Sequence, residues 1–151
     1  MTHDDLVKLA RKWLIRARRC DVVLTEKHAP YGESPDAIGW SGRTSILIEC
    51  KTTLADFRRD KDKWFRSSAP GLGQQRFYMA PRGVIPVDEL PEGWGLLELD
   101  GAVVRTIVTN NLNYYDESRA AAELPFLVSY LRQQQVLAAL KRKPKRSKRR
   151  R

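Results

Sequence analysis

The chain has 151 residues, 42% of them hydrophobic, enough for one domain with a buried core and too apolar for a disordered polymer. Its net charge of +10 is unevenly placed: residues 141–151 carry nine cations and no acid, leaving 19 cations against 18 acids in residues 1–140. A folded body that is itself strongly basic is thereby excluded. No apolar run approaches the roughly 18 residues of a membrane span, and the acid-led N-terminus does not read as a signal peptide. With only Cys20 and Cys50, a cytoplasmic protein with reduced thiols and no membrane partner is expected.

The first element reads as a helix. Leu6, Leu9, Ala10, Trp13, Leu14 and Ala17 recur at helical spacing, and Asp4 and Asp5 suit the N-terminal end. Lys8, Arg11, Lys12, Arg18 and Arg19 fall mostly off that stripe. Solvated surface is the simpler reading of this basic face and a DNA-contacting ridge the sharper one. A short strand, Asp21 to Glu26, follows. After a loop marked by Pro30 and Gly32, residues 36–40 and 45–51 read as a hairpin turning at Ser41 to Thr44.

Thr52 or Thr53 can cap a second helix, Leu54 to Arg66, with Leu54, Phe57, Trp64 and Phe65 on its buried side. Asp56, Asp60 and Lys63 share a polar face, which either pairs charges along an exposed helix or turns toward the hairpin. A loop to Gln75 leads to a strand, Arg76 to Ala80, closed by Pro81. Residues 82–93 read as loop with at most one helical turn. Gly95 to Leu99 and Val103 to Val108 form a second hairpin around Asp100-Gly101. A final helical region spans Glu117 to Leu140, and Pro125 is expected to break or kink it early. The whole is one α/β domain, residues 1–140, built as a mixed sheet with helices against it and an extra C-terminal hairpin and helix. Residues 141–151 are expected to be a disordered basic tail, because like charges repel and cannot pack.

The chemistry concentrates in the first hairpin. Pairing across its turn brings together residues whose numbers sum to about 85, so Trp40 faces Ser45 and Asp36 faces Glu49. Like charges placed so repel, and a divalent cation between them is a natural remedy. Strand alternation puts Lys51 on the same face as Glu49, with the Cys50 side chain on the opposite, core-facing side. A hard cation such as Mg²⁺, with Mn²⁺ as substitute, favours oxygen donors: Asp36, Glu49 and the backbone carbonyl of Cys50. Lys51 would orient or deprotonate the attacking water, or offset charge on the phosphate. Glu26, ending the neighbouring strand, is the first choice for a further ligand, and Glu33 the second. His3 and His28 offer little for a triad, and a surface place is expected for His28. Nothing has zinc spacing, and Gly71-Leu72-Gly73 is too short for a nucleotide loop.

Pro35-Asp36 with Glu49-Cys50-Lys51 resembles the PD-(D/E)XK nuclease superfamily. Residues 55–60, 76–81 and 90–97 also resemble small bacterial and phage proteins described as DNA-repair nucleases. The resemblance covers roughly residues 5–108. It implies a restriction-endonuclease-like core of helix, three strands, helix and strand. It further implies Mg²⁺-dependent DNA cleavage, with Asp36 and Glu49 as ligands and Lys51 as catalytic lysine, in DNA repair, recombination or phage DNA processing. The superfamily's acid in the first helix has no clean match, since only Asp4 and Asp5 stand at its start.

The expectation is a metal-dependent deoxyribonuclease. A catalytically inactive nucleic-acid-binding protein of the same fold is the alternative, and an assembly protein docking its tail on an acidic partner a third reading. Lys141, Arg142, Lys143, Lys145, Arg146, Lys148, Arg149, Arg150 and Arg151 are the expected phosphate-binding residues. DNA is the expected partner; RNA as target, cleavage polarity and a homodimer are left open.

Overall fold

The computed structural model describes residues 1–27, 33–63, 71–110 and 115–141. Helix α1, His3–Arg16, starts at Thr2, whose side chain accepts from the Asp5 N–H while Asp5 accepts from the Thr2 N–H. This reciprocal cap satisfies two donors that a helix start leaves open. Strand β1, Val22–Thr25, pairs antiparallel with β2, Ala37–Ser41, and β2 pairs antiparallel with β3, Thr44–Cys50. The turn is tighter than the sequence suggests. Ser41 and Thr44 still pair, leaving only Gly42 and Arg43 between the strands. Gly42 has φ 58°, which the first central position of such two-residue turns demands.

Helix α2, Leu54–Lys61, is capped by the Thr53 hydroxyl, which accepts from Asp56 N–H at 3.2 Å. It carries the chain to β4, Gln75–Pro81, parallel to β3. The part of the expected helix from Trp64 to Arg66 lies outside the described residues. A 3₁₀ turn at Val87–Glu89 precedes β5, Trp94–Asp100, parallel to β4, and β6, Val103–Val108, closes an antiparallel hairpin. The six strands form one mixed sheet in sequence order, and among the described residues three α-helices pack against it. This is a mixed α/β fold.

The third helix, α3, runs unbroken over Glu117–Lys141 with Pro125 inside it, so the expected early break does not occur. Proline removes only one backbone donor, and on either side of it Glu123 and Phe126 are buried against the sheet. Lys141 is the last helical residue; the rest of the basic tail lies outside the described residues.

Alternation along the strands divides the core in two. On one face, Leu6, Ala10 and Leu14 of α1 pack on Ala37, Ile46, Ile48, Cys50, Phe77 and Met79. On the other, Phe57 and Phe126 pack on Ile38, Leu47, Tyr78 and Leu96. The Glu123 carboxylate locks α3 down: it accepts from Trp40 Nε1 at 2.9 Å, from the Gly73 N–H at 3.1 Å and from the Ser45 hydroxyl. Among the described residues, no helix is long and apolar enough to cross a membrane.

Candidate active site

The observed register pairs Trp40 with Ser45 and Ala37 with Ile48, as the hairpin arithmetic requires. Continued by one residue, it sets Asp36 opposite Glu49. Asp36 stands just before β2, and its Oδ2 accepts the Cys50 N–H at 2.7 Å, tying it to the end of β3. On its other side the Glu26 N–H donates to the Asp36 carbonyl at 3.0 Å. Glu26, Asp36 and Glu49 thus occupy neighbouring chain positions at one end of the sheet. Glu26 itself adopts φ 51°, which takes its side chain out of the strand alternation.

Lys51 lies in a buried nest of acids. Its ammonium is 3.6 Å from Glu49 Oε2 and 3.3 Å from Asp60 Oδ1, and its side chain is only 8% exposed. Burial alone pushes the lysine pKa down. The carboxylates of Glu49, Asp60, Asp36 and Asp56 outweigh it, so the pKa ends above the ordinary lysine value. With its carboxylate neighbours charged, the Lys51 ammonium is a positive charge fixed beside Glu49 and Asp60.

Of the two readings open for the polar face of α2, Asp60 follows the turn toward the hairpin, 3.3 Å from Lys51. Pairing along an exposed helix was one reading of the Asp56, Asp60 and Lys63 face, and it fits Asp56, which meets Arg59 at 3.3 Å. Asp60 is instead buried, taking the Tyr78 hydroxyl at 2.9 Å on Oδ2 and Lys63 at 2.9 Å on Oδ1 beside Lys51. The spacing could not separate the two acids, because which part of α2 faces the sheet is set by tertiary packing.

His3 is a residue that was undervalued. It opens α1, and its Nε2 lies 3.2 Å from Asp36 Oδ1, with Nδ1 3.9 Å from Asp4 Oδ1. Among the described residues, one group of three potential metal ligands has all its ligand atoms within 4.8 Å of one another: His3, Asp4 and Glu26. Glu26 therefore clusters with the start of α1. Asp4 is the acid of the first helix that reaches this edge, since Asp5 is occupied with the cap.

Glu33, the second choice for a further ligand, is placed elsewhere. It is buried with Arg76 at 2.6 Å and accepts the Leu72 N–H at 2.7 Å, an ion pair that fastens the segment before β4. Cys50 points into the α1-side core, where burial first and the nearby Asp36 and Glu49 next push its thiol well above the usual range. His28 lies outside the described residues.

A scan of the sequence against protein-family models finds no match, and neither does comparison with curated proteins. Among solved structures, a protein of unknown function from Silicibacter pomeroyi is similar in fold. Its TM-score is 0.64 at 20% identity, over 95% of this chain and 97% of that one. The likeness extends over nearly the whole of both chains and concerns the fold alone.

Proposed function

We propose that this protein is a metal-dependent nuclease that hydrolyses DNA phosphodiester bonds, on a restriction-endonuclease-like core. The element order of helix, three strands, helix, strand supports the reading. The observation that carries it is the meeting of Asp36, Glu49 and Lys51 at one end of adjacent strands, with the Lys51 ammonium held beside Glu49 and Asp60. DNA repair, recombination or phage DNA processing is the setting this chemistry suits.

The residues fit a hard divalent cation. Asp36 and Glu49 offer carboxylate oxygens on paired positions, the Cys50 carbonyl follows Glu49 in the chain, and Glu26, Asp4 and His3 border the same edge. Bound there, Mg²⁺ or Mn²⁺ would supply Lewis acidity, lowering the pKa of water and offsetting phosphate charge. Lys51 supplies a fixed cation for the negative charge that grows on the phosphate during attack. Asp60 and Tyr78 hold that cation in place, because the Tyr78 hydroxyl fixes the Asp60 carboxylate. The Cys50 N–H fixes the Asp36 carboxylate in the same way.

The test is a panel of labelled single-stranded, double-stranded and branched DNA and RNA, incubated with Mg²⁺ or Mn²⁺ and with chelator. Lys51→Ala would leave Glu49 and Asp60 buried without their neighbouring ammonium, so its fold must be checked by circular dichroism. Asp36→Asn is the companion variant, because an amide oxygen still accepts the Cys50 N–H. Fragments from the wild type alone are expected. DNA left intact by the wild type after long incubation with Mn²⁺ would instead make the protein a binder without catalysis.

A further inference from the structure

The exposed face of α1 leads into the candidate site. Asp4, Lys8, Arg11 and Ile15 follow one another at helical spacing, with Lys12 and Arg16 flanking them, while Leu6, Ala10 and Leu14 bury the opposite face. From Lys8 to Arg16 this basic face extends about 12 Å along the axis. Among the described residues, none of Lys8, Arg11 and Lys12 forms an ion pair within its own fold. Lys8 and Arg11 also line a cleft of about 250 Å³ with Asp4, Val7, Thr25 and Glu26. Two of those acids, Asp4 and Glu26, group with His3, which touches Asp36. The cations therefore run directly up to the acidic edge of the site.

We infer that the Lys8, Arg11 and Lys12 face of α1 is the track along which a nucleic-acid phosphate backbone is led to Asp36 and Glu49. The inference deepens the nuclease reading, because it identifies the surface that presents the substrate. Its physical logic is a division of sign. Cations on α1 attract the backbone and release its counterions. The carboxylates beyond the helix start repel phosphate, and a divalent cation on Asp36 and Glu49 would offset that charge. A backbone drawn along α1 would thus be held at the boundary where cleavage chemistry is available. The contacts are to phosphate, so the track carries no sequence preference of its own.

The test uses the full chain and a labelled oligonucleotide duplex in chelator, so that binding is read without cleavage. Affinity is measured against salt for the wild type and for Lys8→Gln, Arg11→Gln, Lys12→Gln combined. Glutamine is nearly as good a helix former as lysine or arginine, so α1 itself is kept. The salt slope is expected to fall by about 2 to 3, at about 0.9 per lost duplex phosphate contact, with binding weakened about tenfold or more. A control removes the same charge at Arg82, Arg105 and Arg132, which are exposed elsewhere on the fold. An equal drop in the control would overturn the track, leaving only net charge at work. An unchanged slope in the α1 variant would overturn it too, and so would a variant that loses affinity for acidic lipid vesicles but keeps its affinity for DNA. Cleavage is scored separately. Wild-type cleavage with an unchanged α1 slope fails the track alone, whereas a lowered slope without wild-type cleavage fails the nuclease reading alone.

Discussion

Replacing Asp60 with asparagine probes how the buried charges sustain one another. The amide still accepts the Tyr78 hydroxyl, but it removes the negative charge 3.3 Å from the Lys51 ammonium and 2.9 Å from Lys63. Unit charges 3.3 Å apart, at an effective dielectric constant of about 20, attract by about 5 kcal/mol, which is a ceiling on the loss. Breaking one side of a buried pair costs about 3 to 5 kcal/mol in general. Lys51 keeps Glu49 at 3.6 Å, and half-exposed Lys63 regains water, so the lower end, about 3 kcal/mol, is expected. With a urea slope of about 2 kcal/mol per molar, the unfolding midpoint should fall by about 1.5 M. The specific claim is coupling, read from a cycle with Lys51→Met. If the two substitutions add within about 0.5 kcal/mol, Asp60 and Lys51 act independently and the nest is not one electrostatic unit.

Three further outcomes follow from the geometry. Glu123→Ala should strip the acceptor from Trp40, Ser45 and Gly73, and at about 2 to 3 kcal/mol it should lower Tm by about 5 to 10 °C; an unchanged Tm would mean α3 is held by Phe126 packing alone. Cys20 and Cys50 are both buried, with thiols pushed up first by that burial, so a disulfide reagent at pH 8 should modify neither rapidly in the native state; a fast first equivalent would contradict the placement of one of them. Hydrogen bonds from Arg58 and then Lys61 lower the Glu89 carboxyl from 4.5 to about 2. Its contribution is therefore full above about pH 4.5 and lost as pH falls through about 2, so wild type and Glu89→Gln should converge in stability across that window. Parallel curves throughout would show that the pairing does not persist in solution.

What could be read from sequence was what local pattern determines. The first hairpin is legible because a polar turn at Ser41 to Thr44 separates residues 36–40 from an apolar strand leading into Glu49, and the register about that turn sets Asp36 opposite Glu49. Helix α1 is legible from its stripe, and its start from Asp4 and Asp5; the Thr2 cap is seen only in the structure. The contacts of Asp60, His3 and Glu33 were not legible, because their partners lie far off in sequence. Asp60 meets Tyr78, His3 meets Asp36 and Glu33 meets Arg76, and none of these pairs has a spacing that marks it. Pro125 shows the converse: a strong local signal for a break is overridden by burial at Glu123 and Phe126. Lys51 was legible as a neighbour of Glu49, but the direction of its pKa was not. A lone buried lysine loses its proton more readily, and the four surrounding carboxylates reverse the direction.

The decisive experiment is a single-turnover time course on end-labelled DNA with saturating Mg²⁺ or Mn²⁺, comparing the wild type with folded Asp36→Asn. The expected result is fragments from the wild type that disappear with chelator, and none from Asp36→Asn at the same concentration. Equal fragmentation by both proteins would mean that the hydrolysis does not depend on the carboxylate tied to the end of β3.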